Sequence, residues 1–254
     1  MLFHPMAVNT NTRVRWEAIK HLPLIKNCRG KRVLDIACGL GFFSLRFAEC
    51  GAKVLAVDKD GKALEYLHAN YNIETKLLDI ENEPLPDGGF DLIFLGEILE
   101  HVKDYQNILN KSREALLRGG IILLTTPAKE GLLINTKGKQ LGHSEGDQRH
   151  QRNGFSLGEL QDAISKEGMV IKYHSFSVFF IAELFMQLTK KNYLKNKRAY
   201  SGQSDVLELM NSFGYKILCL IYPLLLMVFN IESYISNFIG LKGQCHILIV
   251  KKEE

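Results

Sequence analysis

Paired cysteines are what this chain most plainly lacks. Cys28, Cys38, Cys50, Cys219 and Cys245 are odd in number and contain no C-x-x-C motif. That argues against a disulfide framework and a cysteine zinc site, and it fits a reducing compartment. Charge of one sign is also scarce. A net charge of +4 over 254 residues is too small to argue for nucleic acid. The opening stretch, MLFHPMAVNTNTRVRW, has no apolar core followed by a small-residue cleavage site, so it does not read as a secretory signal. No internal repeat and no low-complexity tract is visible. The length suits one α/β domain carrying an insertion.

What is present centres on Lys31 to Asp60, KRVLDIACGLGFFSLRFAECGAKVLAVDKD. Val33 to Ile36 is a short apolar run rich in strand formers. Cys38-Gly39-Leu40-Gly41 interrupts it with two glycines, which let backbone approach a ligand closely. Phe42 to Cys50 has helical apolar spacing, and Gly51 closes it. Lys53 to Val57 is a second strand, ending at Asp58. The pattern is half of a nucleotide-binding βαβ unit, with Asp58 placed to take ribose hydroxyls. A dinucleotide fingerprint wants a third glycine where this chain has Ser44, behind the bulky Phe42 and Phe43. Asp35, just before the turn, would repel a pyrophosphate and attract a cation. Both features disfavour a nicotinamide oxidoreductase.

The rest of the chain alternates strands and helices. Helices are predicted over Thr12–Leu24, Lys62–Tyr71, Val102–Leu117 and Phe155–Glu167. The last opens on a capping box of Ser156 and Glu159. Strands are predicted over Thr75–Leu78, Phe90–Leu95, Ile121–Thr125, Met169–Val178 and Cys245–Val250. Arg118-Gly119-Gly120 reads as a helix cap and turn. Such alternation implies an α/β fold with a doubly wound, seven-stranded sheet. Its ligand belongs beyond the carboxyl ends of the strands. Asp35, Asp58, Asp79 and Glu97 all fall at or just past those ends. The first helix reads as a cover for the sheet edge, with a substrate role as the other reading. Residues 128–153 are polar and lie where a substrate loop is expected.

Gly96-Glu97-Ile98-Leu99-Glu100-His101-Val102 is the sharpest local pattern. On a helix Glu97, Glu100 and His101 would share one face. Two carboxylates and an imidazole there could bind Mg²⁺, Mn²⁺ or Zn²⁺. The other reading has no metal: His101 or His150 is a general base, or both histidines are structural, and the carboxylates favour a helix N-terminus.

The D-I-A-C-G-L-G segment resembles the first motif of class I S-adenosylmethionine-dependent methyltransferases. With Asp58, Asp79 and E-I-L-E-H-V, and with N-T-R-V-R-W ahead of them, the chain is most similar to the ubiquinone-biosynthesis O-methyltransferases. Ala37-Cys38 departs from the Gly-Cys common there. The resemblance implies a Rossmann-like methyltransferase fold whose last strand is antiparallel. It implies S-adenosylmethionine as cofactor, with Asp35 near its amino group and Gly39 and Gly41 under its methionine portion. Ala37, Cys38 and Lys59 belong to the same set. Asp58 would hold the ribose, Asp79 with Ile80 the adenine, and Glu97 would face the cofactor. In the quinone-pathway and small-RNA 2′-O-methyltransferases the E-x-x-E-H pattern holds a divalent metal. By that likeness Glu97, Glu100 and His101 would be ligands. His150, preferred over His143, would be a further one.

Four segments are expected: 1–30 a helical lead-in, 31–178 the cofactor-binding core, 179–241 an apolar helical insertion, and 242–254 the final strand and tail. The insertion holds Phe179–Leu188, five cations between Lys190 and Arg198, and the charge-free run Ile217–Ile231. A helix of that run reaches about 22 Å, short of the roughly 30 Å hydrocarbon layer, so no spanning helix is predicted. An apolar helix beside a basic stretch suits a membrane interface. A buried cap over the site, or a dimer contact, is the other reading. Together these point to O-methylation of an amphipathic small molecule or lipid-like acceptor, such as a quinone-pathway phenol. The enzyme would be cytoplasmic, or peripheral at the inner face of the membrane. A saccharide or lipid-linked glycan methyltransferase and a catalytically silent cofactor-binding module are the alternatives. The modest charge counts against an RNA acceptor.

Overall fold

The computed structural model describes residues 4–131, 151–195 and 213–253. Seven strands form one sheet in the order β3-β2-β1-β4-β5-β7-β6. They are β1 (Arg32–Ile36), β2 (Lys53–Asp58), β3 (Glu74–Leu77), β4 (Phe90–Gly96), β5 (Leu116–Pro127), β6 (Met169–Ser177) and β7 (Cys245–Lys252). From β3 to β5 neighbours run parallel. The late strand β7 inserts antiparallel between β5 and β6, as expected.

Two apolar layers cover the sheet. Alternation along β1 sends Leu34 and Ile36 to one face and Val33 to the other. The first face packs under α5 (Tyr105–Ala115) and α6 (Leu157–Lys166). The second packs under α1 (Thr10–Ile19), α2 (Pro23–Lys26), α3 (Phe42–Glu49) and α4 (Gly61–Tyr71). The aromatic residues Trp16, Phe43, Phe47 and Phe94 lock that second layer, with Trp16 and Phe94 each edge-on to Phe47. The capping box on α6 is present as predicted, Ser156 and Glu159 bonding reciprocally.

Local readings fail where tertiary pairing overrides propensity. The stretch 97–104 is turn, and α5 begins only at Tyr105. Its N-cap is Asp104, whose side chain accepts the Asn107 N–H at 3.0 Å. At the far end, Leu116 is already strand, paired with Phe90 and buried. The predicted turn at Gly119 is an irregularity inside β5, where the register shifts between Phe90 and Leu92 and Gly119 adopts φ +77°. Pro23 opens α2 as its first residue rather than only ending α1.

The insertion supplies α7 (Phe180–Lys195) and α8 (Phe213–Phe238). The second helix has 26 residues, overrunning the charge-free stretch at both ends, and takes Pro223 in its interior. Among the described residues one helix, Lys216–Phe238, is long and apolar enough to cross a membrane. One side of α8 is docked. Tyr222, Leu226 and Phe229 are buried with Val14 of α1 and with Val178 and Ala182. Two side-chain bonds fix the helix to α1: the Tyr222 hydroxyl donates to Thr10 Oγ1 at 2.9 Å, and Asn230 donates to Glu17 at 3.0 Å. Losing one buried hydrogen bond of this kind costs about 1 kcal/mol. Tyr222→Phe should lower unfolding free energy by about that amount in a urea titration; an unchanged midpoint would mean that α8 docks without that bond.

Candidate functional site

The carboxyl ends of β1, β2 and β4, with the loop after β3, surround a cavity of about 740 Å³. That is within the range of small-molecule sites. Of the residues singled out in the sequence, Asp35, Ala37, Cys38, Asp58, Lys59, Asp79, Ile80, Glu97 and His101 line it. Gly39 and Gly41 form the turn at its edge. Gly41 adopts φ +72° as the residue before α3, and a side chain there would collide with Leu67 of α4.

Asp58 braces that turn. Its Oδ2 accepts the Gly39 N–H at 2.7 Å and its Oδ1 accepts the Asp60 N–H at 2.9 Å. Asp35 is fully buried and takes the Ser44 hydroxyl on Oδ2 at 2.5 Å. Burial pushes its pKa up to about 7. The Ser44 bond opposes that shift, and the Asp58 charge adds to it. Asp79 is half-buried at the rim. The Asn82 amide and the Glu81 N–H hold its carboxyl below the usual range.

Glu97 sits just past β4 with φ +57°, a left-handed conformation uncommon outside glycine. Its Oε1 accepts the Cys245 thiol at 3.2 Å and lies 4.0 Å from Arg15 Nη1. Its Oε2 accepts the Asn11 amide at 3.3 Å. Arg15 is buried. It donates to Thr125 Oγ1 at 2.8 Å and stacks its guanidinium 5.1 Å from the Phe43 ring centre, and its Nε has no hydrogen-bond partner among the described residues. The lead-in helix is therefore a wall of the cavity as well as a cover, since Thr12 and Arg15 line it. Sequence reasoning did not single out Arg15. It stood inside the N-T-R-V-R-W segment as a cation between Val14 and Trp16, both buried here, with no role attached to it.

The shared helical face expected for Glu97, Glu100 and His101 does not exist, because those residues lie in a turn. Glu100 points into the core, with no exposed surface, and accepts the Thr126 hydroxyl at 3.2 Å. Burial, with the Glu97 charge second, drives its pKa well above the ordinary range. Among the described residues no three His, Cys, Asp or Glu side chains are grouped to hold a metal. The expected ligand set also includes His150, so a metal on it together with Glu97, Glu100 and His101 falls partly outside the described residues. His143 and His150 lie outside the described residues.

Residues 34–124 match the methyltransferase domain family. The chain is 33% identical over 132 residues to the malonyl-[acyl-carrier protein] O-methyltransferase of Yersinia pestis, covering 52% of this chain and 48% of that protein. It is 35% identical over 106 residues to the ubiquinone biosynthesis O-methyltransferase of Bradyrhizobium, covering 39% and 42%. The chain thus spans about half the length of the curated relatives it matches. An S-adenosylmethionine-dependent methyltransferase structure from Mesorhizobium loti superposes with a TM-score of 0.58 at 18% identity, over 96% of this chain and 100% of that one. This is the Rossmann-like methyltransferase fold.

In this fold a buried acid at the end of the first strand has a measurable cost. Asp35 binds its proton more tightly folded than unfolded, so its contribution to stability is full below about pH 4 and is lost as pH rises through about 7. Asp35→Asn should therefore raise the melting temperature of the ligand-free protein above pH 7 by several degrees. The difference should vanish near pH 4. A gain independent of pH would mean that Asp35 is not the titrating group.

Proposed function

We propose that this protein transfers a methyl group from S-adenosylmethionine to an oxygen of an amphipathic small-molecule or lipid-like acceptor. One observation carries the reading: Asp35, Asp58, Asp79 and Glu97, from four successive strand ends, converge on one cavity with a glycine turn at its edge. Such a site is rich in acceptors and presents no phosphate cradle with a third glycine, which suits a ligand with an ammonium and a ribose. The bound cofactor would supply an activated methyl on a sulfonium.

The chain's own work is then alignment. Asp58, held by the Gly39 and Asp60 amides, has lone pairs left for the ribose hydroxyls. Asp35 offers a carboxylate whose ionised form an ammonium would favour, offsetting its burial. Asp79 and Ile80 stand at the adenine end. Glu97 is already engaged by Arg15, Asn11 and Cys245, so it shapes the acceptor end rather than binding a metal. His101 lines the same cavity and is assigned the acceptor proton. The five free cysteines accord with a cytoplasmic setting.

Calorimetric titration with S-adenosylmethionine tests the donor. Asp58→Ala should weaken binding at least tenfold, since a hydrogen bond to a charged group is worth about 1.5–3 kcal/mol. Unchanged affinity would remove the ribose assignment. Turnover to S-adenosylhomocysteine, assayed with phenolic, lipid and saccharide acceptors, tests the reaction. His101→Ala should cut kcat about a hundredfold while leaving cofactor affinity within twofold. Cofactor binding with no turnover on any acceptor class would leave a silent binding module.

A further inference from the structure

The geometry points to a docking surface for an anionic lipid bilayer on the outer side of α7 and α8. Leu220, Leu224, Met227, Ile231, Tyr234 and Phe238 are all exposed, Leu220 and Leu224 at 67% and Phe238 at 83%. Their spacing of four, three, four, three and four puts them in one stripe along the helix. Phe180, Ile181, Leu184 and Leu188 of α7 are exposed as well. The opposite side of α8 is equally apolar and is already buried in the domain. A helix that is apolar on both sides has a second apolar surface to cover.

Charge selects the bilayer over other occupants. The described parts of the two helices contain only two acids, and both are turned away from the stripe. Glu183 is buried, and Glu232 accepts the Ile181 and Ala182 N–H groups at the start of α7. Lys216, in the first turn of α8, and Lys242, just past its end, are exposed. Cations bordering an apolar stripe match anionic headgroups above an acyl layer. A second copy docked face to face would instead bring like charges together, with neither of the two helices' acids turned to meet them. A spanning role is opposed by the bonds from Tyr222 and Asn230 to α1, which hold α8 lengthwise on the domain. This surface stands on the helices alone and does not depend on the reaction proposed above.

The test is vesicle flotation of the full chain, with S-adenosylmethionine binding followed in parallel. Protein should float with equimolar phosphatidylglycerol and phosphatidylcholine, and far less with phosphatidylcholine alone or in high salt. The double variant Leu220→Glu, Leu224→Glu should bind vesicles at least tenfold more weakly, with unchanged circular dichroism and cofactor affinity. Three results would overturn the proposal: no flotation of the wild type with anionic vesicles; a wild-type dimer that the double variant dissociates, which assigns the face to a second copy; or membrane association that resists alkaline carbonate, which assigns a spanning helix.

Discussion

Asp58 accepts the Gly39 N–H at 2.7 Å, and the rest of the cavity depends on that bond. It ties the end of β2 to the turn leaving β1, and the Cys38 N–H bond to the Val57 carbonyl at 3.1 Å doubles the tie. With the turn pinned, Ala37, Gly39 and Gly41 can hold alternate positive φ values of 55°, 54° and 72°. Alanine in that conformation costs about 1–2 kcal/mol, so the paired strand ends must supply it. Glu97 repeats the device one strand over, with φ 57° just past β4. Two non-glycine residues held in the left-handed region, at adjacent strand ends, border the same cavity. Among the described residues, two of the four non-glycine residues with positive φ thus stand where a ligand would be met, while Asn72 and Val178 lie elsewhere.

The two ends of the cavity differ in electrostatic character. Around Asp35 and Asp58 two carboxylates lie together, and burial, with the Asp58 charge adding to it, pushes the Asp35 pKa up to about 7. Around Glu97 the charge is matched by Arg15, and Asn11, Thr125 and Cys245 absorb the remaining hydrogen bonds. A positively charged ligand gains at the first end by relieving repulsion. At the second it would have to break an existing network. This asymmetry orients a ligand bearing one cationic group before any specific contact is made.

Much of this arrangement is readable along the chain, because it is local. The glycine turn, the acids at strand ends and the Ser156–Glu159 cap each follow from neighbours a few residues apart. What was misread depends on distant partners. E-I-L-E-H has helical spacing, yet Asp104 caps the helix later and Thr126 draws Glu100 inward. Gly119 looks like a turn, yet Leu116 pairs with Phe90 and keeps the strand going. Arg15 gave almost no signal, since its partners lie at Glu97 and Thr125. The ends of α8 were also hidden. Hydropathy marks only the charge-free run, whereas buried contacts from Cys219 to Ser236 extend along the helix.

Among the described residues α1 is one element that connects the insertion to the site. Thr12 and Arg15 of α1 face the cavity, while Arg13 and Glu17 face a groove beside Met227, Ile231 and Tyr234 of α8. This helix thus presents one side to the cavity and another to the groove beside the apolar stripe. Arg13 is largely shielded between the two, and its guanidinium lies 5.9 Å from the ring centre of Phe42, a cavity residue. Any movement of α8 against α1 must be felt by Thr10 and Glu17, its hydrogen-bond partners, and through the helix by Arg15. Because packed helices shift as bodies rather than deform, α1 is an element on which both the seating of α8 and the wall of the cavity bear.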